Sequence, residues 1–287
     1  MTENTYIDLH THTTASDGTL SPRALVQRAK ELGLRAIAIT DHDTTDGVEE
    51  GSKAGEEYGV EVIPGVEISV SEEGALLHIL GYYIDPANAD LSKVLGEIRE
   101  LRNSRNQLMI QKLREIGFDI SLEEVEALAG GNVVGRPHFA QLLVQKGYVS
   151  STQEAFDKYI ARGKPGHVKR TSLKPKDGIE LILKAGGVPV LAHPKDLLLV
   201  NQTNYYPLFN QLKEYGLRGL EVYYSTHSDA EVKILKGIAK QLGFIITGGS
   251  DFHGDNKLEY QLGSGTGNLR IPYEVVEGLK LSKSMLK

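Results

Sequence analysis

The chain contains no cysteine among its 287 residues. That excludes disulfide staples, thiolate zinc sites and cysteine nucleophiles, and it fits a reducing cytoplasm. No apolar run approaches the roughly 20 residues of a membrane span, so no membrane partner is expected. The opening Met1-Thr2-Glu3-Asn4 lacks the basic-then-apolar layout of a signal peptide. Net positive charge is missing too: a formal charge of −6 argues against a surface built mainly to grip nucleic-acid backbone. Internal repeats and low-complexity linkers are absent. What remains is an ordinary soluble composition, 40% hydrophobic and 24% charged, in a length sufficient for one large α/β domain or two smaller ones.

Against that background nine histidines stand out. Most lie at or beside the ends of short apolar runs, in segments dense in acid. The series opens with Asp8-Leu9-His10-Thr11-His12 followed by Asp17. It continues through Thr40-Asp41-His42-Asp43, Glu67, His78 and Ala192-His193-Pro194, and closes at Gly249-Ser250-Asp251-Phe252-His253. Burying unpaired imidazoles and carboxylates is costly, so a repeated cluster of them points to metal ions. Without thiolates, any metal must be held by His, Asp and Glu, a donor set compatible with Zn, Mn or Fe. His10 and His12 alternate along one strand and therefore face the same way. A lone His-x-His could be a hydrogen-bonded core pair; joined to the other clusters, it reads as half of a metal site.

Seven β-rich runs are expected, at 5–10, 36–40, 60–69, 75–84, 188–192, 219–224 and 244–248. Several are almost wholly apolar, as in parallel strands covered on both faces. Helical patterns alternate with them. Ser21-Pro22 offers an N-cap with proline at the first helical position, closing at Leu32-Gly33, and 176–185 ends at Gly186-Gly187. The alternation predicts a parallel barrel or doubly wound sheet, with sites beyond the C-terminal strand ends, where most of the histidines fall.

Residues 86–174 break the rhythm. Leu91, Val94, Leu95, Ile98, Leu101, Leu108 and Ile116 keep helical spacing, and further helices are expected over 121–129, 137–147 and 152–162. This predicts a helical insertion (86–174) capping a barrel made of 1–85 and 175–287. Continuing the apolar stripe places Arg105 on the inward face, with Arg102 beside it. A basic run over 162–176 (Arg162, Lys164, Lys169, Arg170, Lys174, Lys176) carries no acid. It is either a solvated loop or a lip that attracts a polyanion. In Gly135-Arg136-Pro137-His138, a helix start could meet a phosphate. His227 follows the sixth strand and could face the site, whereas His167 reads as surface.

The six motif segments, in their order, resemble the PHP (polymerase and histidinol phosphatase) superfamily. The resemblance implies a distorted seven-stranded (β/α)7 barrel with a helical insertion between strands 4 and 5. It also implies two to three divalent metals at the strand ends. Carried over residue by residue, His10, His12 and Asp251 would hold the first metal, with Glu67 bridging to the second. Glu67, His78 and His193 would hold the second, and Asp17, His42 and His253 the third. Asp8, Asp41 and Asp43 look like partners that orient imidazoles, or turn residues.

Arg102-Asn103-Ser104-Arg105-Asn106, Gly135-Arg136-Pro137-His138, Ala185-Gly186-Gly187-Val188-Pro189 and Asp17 move the resemblance toward the stand-alone enzymes acting on nucleoside phosphates. The implied substrates are a 3′,5′-nucleoside bisphosphate, 5′-AMP or short 5′-phosphorylated RNA. The implied reaction is in-line attack on phosphorus by a metal-activated hydroxide. Arg136, His138 and Arg105 would contact phosphate, and either a metal-bound water or His227 could protonate the leaving oxygen. Competing readings are histidinol phosphatase, a metal-dependent amidohydrolase and a non-catalytic PHP module. The amidohydrolase expects a bridging lysine on a middle strand, and run 75–84 has none; the non-catalytic module should have lost ligands.

Overall fold

The computed structural model describes residues 6–72, 75–129, 133–169, 172–195 and 206–286. Strand β1 (Tyr6–Thr11) leads through α1 (Pro22–Glu31) to β2 (Ala36–Ile39), and α2 (Val48–Tyr58) leads to β3 (Glu61–Glu72) and β4 (Ala75–Tyr82). A helical stretch follows: α3 (Ala89–Glu115), α4 (Leu122–Ala129), α5 (Arg136–Gln145), and α6 (Thr152–Ala155), which runs into a π-turn at Phe156–Ile160. The chain then returns through α7 (Pro175–Lys184), β5 (Val188–Leu191), α8 (Tyr206–Glu214), β6 (Gly219–Tyr224), α9 (Asp229–Leu242) and β7 (Ile245–Gly249). A short β8 (Ile271–Pro272) and α10 (Glu274–Ser284) complete it. The seven expected strands are all present, each within a few residues of its expected bounds.

The sheet order is β7-β6-β5-β4-β3-β2-β1-β8. It curls into a nearly closed α/β barrel. Beyond its last strand residues, β1 meets the segment after β7 through Asp251 N–H to His10 O (2.9 Å) and His12 N–H to Phe252 O (2.9 Å). At the other end β8 pairs antiparallel with Tyr6 and Ile7. This eighth strand had no sequence signal, because two residues cannot show a period.

One strand corrects the expectation of a parallel sheet. β4 runs antiparallel to both β3 and β5. The cause lies in the connection: β3 ends at Glu72 and β4 begins at Ala75. Only two residues separate them in sequence, and a parallel return needs a crossover of a dozen or more.

Helix α3 corrects a second expectation. Leu101, Leu108 and Ile116 are exposed, at 46%, 51% and 40%. The buried stripe instead runs through Leu91, Leu95, Ile98, Arg102, Arg105, Asn106, Met109 and Leu113. Its middle is polar, so following apolar residues alone slips onto the neighbouring face. Leu91, Leu95 and Ile98 pack with strand residues such as Ile68 and Ile79. Met109, Ile110 and Leu113 join Phe139, Leu143 and Ile160 in a separate core drawn wholly from the helical stretch.

Candidate metal centre

His10 and His12 point from one face of β1 toward the barrel mouth, their ring centroids 5.2 Å apart. Thr11 between them turns the other way and bonds Ala38 O at 2.6 Å. From the middle of β3, Glu67 reaches the centre of the mouth. Its Oε2 lies 3.2 Å from His10 Nε2, 3.2 Å from His12 Nε2 and 3.1 Å from His42 Nδ1. Its Oε1 lies 2.9 Å from His78 Nδ1 and 3.2 Å from His193 Nε2. One carboxylate thus stands among five imidazoles. Asp251 Oδ1 lies 3.2 Å from His12 Nε2, and Asp17 Oδ1 lies 3.3 Å from His253 Nε2.

Three groups here are spaced as metal donors: His12, Asp17, His42 and His253; His10, His12, Glu67 and Asp251; and His42, Glu67 and His78. His193 stands beside the last, its Nε2 3.1 Å from His78 Nδ1. The nine residues singled out in the sequence are thereby brought to one place. A divalent cation fits them on two counts. His12 Nε2 and His42 Nδ1 are buried without a hydrogen-bond partner although carboxylate oxygens lie close by. The backbone is also held in unfavourable geometry here, with positive φ at Asp43 (52°), His193 (28°) and Asp251 (58°), the kind of strain that function retains.

Charge in the cluster is strongly coupled. Burial works against ionisation of Asp17, Glu67 and Asp251. The surrounding histidines, and Lys257 in the case of Asp251, nevertheless hold all three well below the usual carboxylate range. Burial likewise pulls His12 down, but Asp251 and Glu67 outweigh it and raise its pKa to about 9. His42 goes the other way: burial dominates and its pKa falls well below the ordinary value.

A surrounding layer fixes which ring nitrogen His10 and His253 present. His10 Nδ1 bonds Glu221 Oε1 at 2.9 Å, and Glu221 Oε2 accepts the His193 backbone N–H at 2.7 Å. His253 Nδ1 donates to Asp251 O at 2.7 Å. Asp41 accepts from Thr13 N, Thr13 Oγ and Ser16 Oγ, and so holds the loop bearing Asp17. Asp8 accepts from Ser250 N, Ser250 Oγ and Gly263 N. Asp43 is ion-paired with Arg102 and accepts from Ser69 N. Through these bonds the three aspartates brace loops and the helical stretch, the turn role of the two expected for them. Glu221, Tyr224 and Lys257 escaped the sequence reading. A carboxylate inside the otherwise apolar Gly219–Tyr224 run was the available signal for Glu221.

His138 is buried and begins α5. Its Nδ1 accepts the Gly135 N–H at 3.1 Å, so the neutral ring carries its proton on Nε2. Burial lowers its pKa, with Asp17 acting in opposition. His227 is also buried, and its Nδ1 lies 2.8 Å from Val222 O. A carbonyl can only accept, so Nδ1 carries the proton and Nε2, which has no partner, presents a lone pair. Arg136 is half-buried and Arg105 is buried beside Asn106. Arg102 pairs with Asp43. In the basic run, Arg162, Lys164, Lys169, Lys174 and Lys176 are exposed and His167 is half-buried, while Arg170 lies outside the described residues.

A barrel mouth lined by imidazoles around a central carboxylate, with cationic side chains on the adjoining helices, defines a metal-dependent phosphoesterase. Residues 8–209 match the PHP domain family, and the chain belongs to it. The chain is 40% identical over 250 residues to the 5′-3′ exoribonuclease Rnm of Escherichia coli, covering 86% of this chain and 84% of that one. It is 35% identical to the 3′,5′-nucleoside bisphosphate phosphatase of Chromobacterium violaceum, covering 86% and 87%. A solved structure assigned as a metal-dependent phosphoesterase, from Bifidobacterium adolescentis, superposes with a TM-score of 0.83 at 32% identity, covering 96% of each chain. The amidohydrolase reading is not favoured: the strand run 75–84 has no lysine, and a glutamate, Glu67, stands at the centre.

Proposed function

We propose that this chain hydrolyses phosphate esters of nucleotides: a 3′,5′-nucleoside bisphosphate, 5′-AMP, or the 5′ end of short RNA. The names of the two curated relatives support a phosphate near a ribose as the reacting group. The carrying observation is Glu67, with five imidazole nitrogens within 3.2 Å of its two oxygens. On this reading His10, His12 and Asp251 hold one ion, Glu67, His78 and His193 a second, and Asp17, His42 and His253 a third; Mn, Zn or Fe would suit these donors. When bound, such ions supply activated water and neutralise charge on the phosphoryl group.

The protein groups divide the remaining work. His138 offers Nε2–H to a phosphoryl oxygen, with Arg136 and Arg105 as the neighbouring cations. His227, having committed its proton to Val222 O, accepts a hydrogen bond from a substrate hydroxyl; burial lowers its pKa and keeps it neutral. That role replaces protonation of the leaving oxygen. Residues 86–174 act as a cap over the mouth, a reading supported by the separate core of that stretch.

The test is an assay of the metal-supplemented protein on adenosine 3′,5′-bisphosphate, AMP, short 5′-phosphorylated RNA, histidinol phosphate and a dipeptide. Phosphate release from at least one nucleotide substrate is expected. Its absence with Mn, Zn and Fe each supplied, or turnover of the dipeptide alone, sinks the reading. His42→Ala and Asp251→Asn should each reduce turnover at least about 100-fold, with metal content lowered and circular dichroism near wild type. Full activity in either variant removes that residue from the site.

A further inference from the structure

Lys257 has no part in the chemistry assigned above, yet its ammonium stands at the edge of the centre. It lies on the 3₁₀ turn Gly254–Lys257 just beyond His253. Its Nζ is 2.6 Å from Asp251 Oδ2, on the side of that carboxylate away from His12. Tyr224 OH donates to the same oxygen at 2.8 Å. The turn itself is anchored to the loop bearing Asp17: Asp255 N–H donates to Thr19 Oγ1 at 3.0 Å, and Asn256 Nδ2 donates to Asp17 O at 2.8 Å. Although its partner Asp251 is buried, the Lys257 side chain remains 35% exposed. It therefore connects the centre to the solvent from which a substrate arrives.

We propose that Lys257 is a phosphate-binding residue of this site, its ammonium bonding a phosphoryl oxygen of the substrate. The inference rests on the phosphoesterase reading above. Asp251 has two oxygens with different duties. Oδ1 faces the imidazoles, while Oδ2 already has a donor in Tyr224, so the carboxylate is oriented without the lysine. Cations bound among the nine donors would draw on the charge of Asp251 and repel the ammonium beside it. An incoming phosphate relieves that repulsion, since one anion can satisfy the ammonium and the bound cations together. The flexible four-carbon stem lets Nζ swing from Oδ2 to such an oxygen while the turn stays fixed.

Inorganic phosphate binding to the metal-loaded protein, measured by calorimetry, tests this alongside metal content by elemental analysis. Lys257→Met should weaken phosphate binding about tenfold with metal stoichiometry unchanged, the loss of one charge-assisted hydrogen bond. Lys257→Arg should recover most of that loss. Unchanged phosphate affinity in Lys257→Met overturns the proposal. So does loss of a metal equivalent in that variant, which would reduce Lys257 to a support for Asp251. If wild-type protein loaded with metal binds no phosphate, the phosphoesterase reading itself fails and this inference falls with it.

Discussion

His10 and His253 each have one ring nitrogen committed, to Glu221 and to the Asp251 carbonyl respectively, and so each offers the other to the centre. Protonation competes directly with that role. With metal chelated away, the raised pKa of His12, about 9, contributes stability that is complete below its unfolded value of about 6.5 and lost as pH rises through 9. His42 and His253 are depressed by burial, so their contribution is present above about 6.5 and lost as pH falls. The depressed Asp17, Glu67 and Asp251 add a further loss in acid. The chelated protein should therefore show its highest Tm near pH 6.5 (about the free-histidine value) and lower values at pH 5 and pH 9. A Tm that climbs steadily to pH 9 would contradict the coupling of His12 to Asp251 and Glu67. Added metal should remove the alkaline decline, because ligation displaces those protons. Which residues gather at the centre was legible at this scale, since His and Asp at strand ends are too costly to bury for packing alone. Glu221 and Lys257 were not, because a single acid in a strand or a single lysine in a turn has no pattern to betray it.

At the scale of elements, α3 shows how pattern reading can reach the right residue by the wrong face. Arg105 is buried, as the apolar stripe predicts, yet the leucines that place it there, Leu101 and Leu108, are exposed. The true stripe is interrupted by Arg102, Arg105 and Asn106 where the helix crosses from the barrel to its own core. There Arg102 is ion-paired with Asp43, and Arg99 Nη1 donates to Asp43 O at 3.2 Å. Arg102→Met should cost about 3–5 kcal/mol in urea unfolding, because it strands a buried carboxylate. Adding Asp43→Asn should recover a large part of that loss. A double variant no more stable than Arg102→Met would show that the pair does not bind helix to barrel. The hairpin of β3 and β4 offers a parallel lesson. Runs 60–69 and 75–84 are separable by pattern, but their direction depends on connection length, which alternation by itself ignores.

For the whole molecule, barrel closure depends on how closely the first and seventh strands approach. A Cβ at Gly249 would lie 2.3 Å from both His10 Cβ and His10 N. Gly249→Ala should therefore force β1 from β7, lowering stability by about 1–3 kcal/mol and reducing metal content. Wild-type metal stoichiometry and Tm in that variant would show that the approach is not constrained. The overall architecture was readable because most of the seven apolar runs are separated by helices. The closing strand β8 was not, being two residues long and meaningful only against β1.

That closure has a consequence for the birth of the protein. Asp8 and Ser250, which bond across the seam, are 242 residues apart in sequence. A ribosome exposes His10 and His12 long before Asp251 and His253. The full cluster can thus be gathered only after Asp251 and His253 have emerged, by a long-range loop closure. Chains released before that point would lack the bonds from Asp251 and Phe252 that seal the barrel against β1. The seam therefore ties completion of the nine-residue cluster to closure of the barrel.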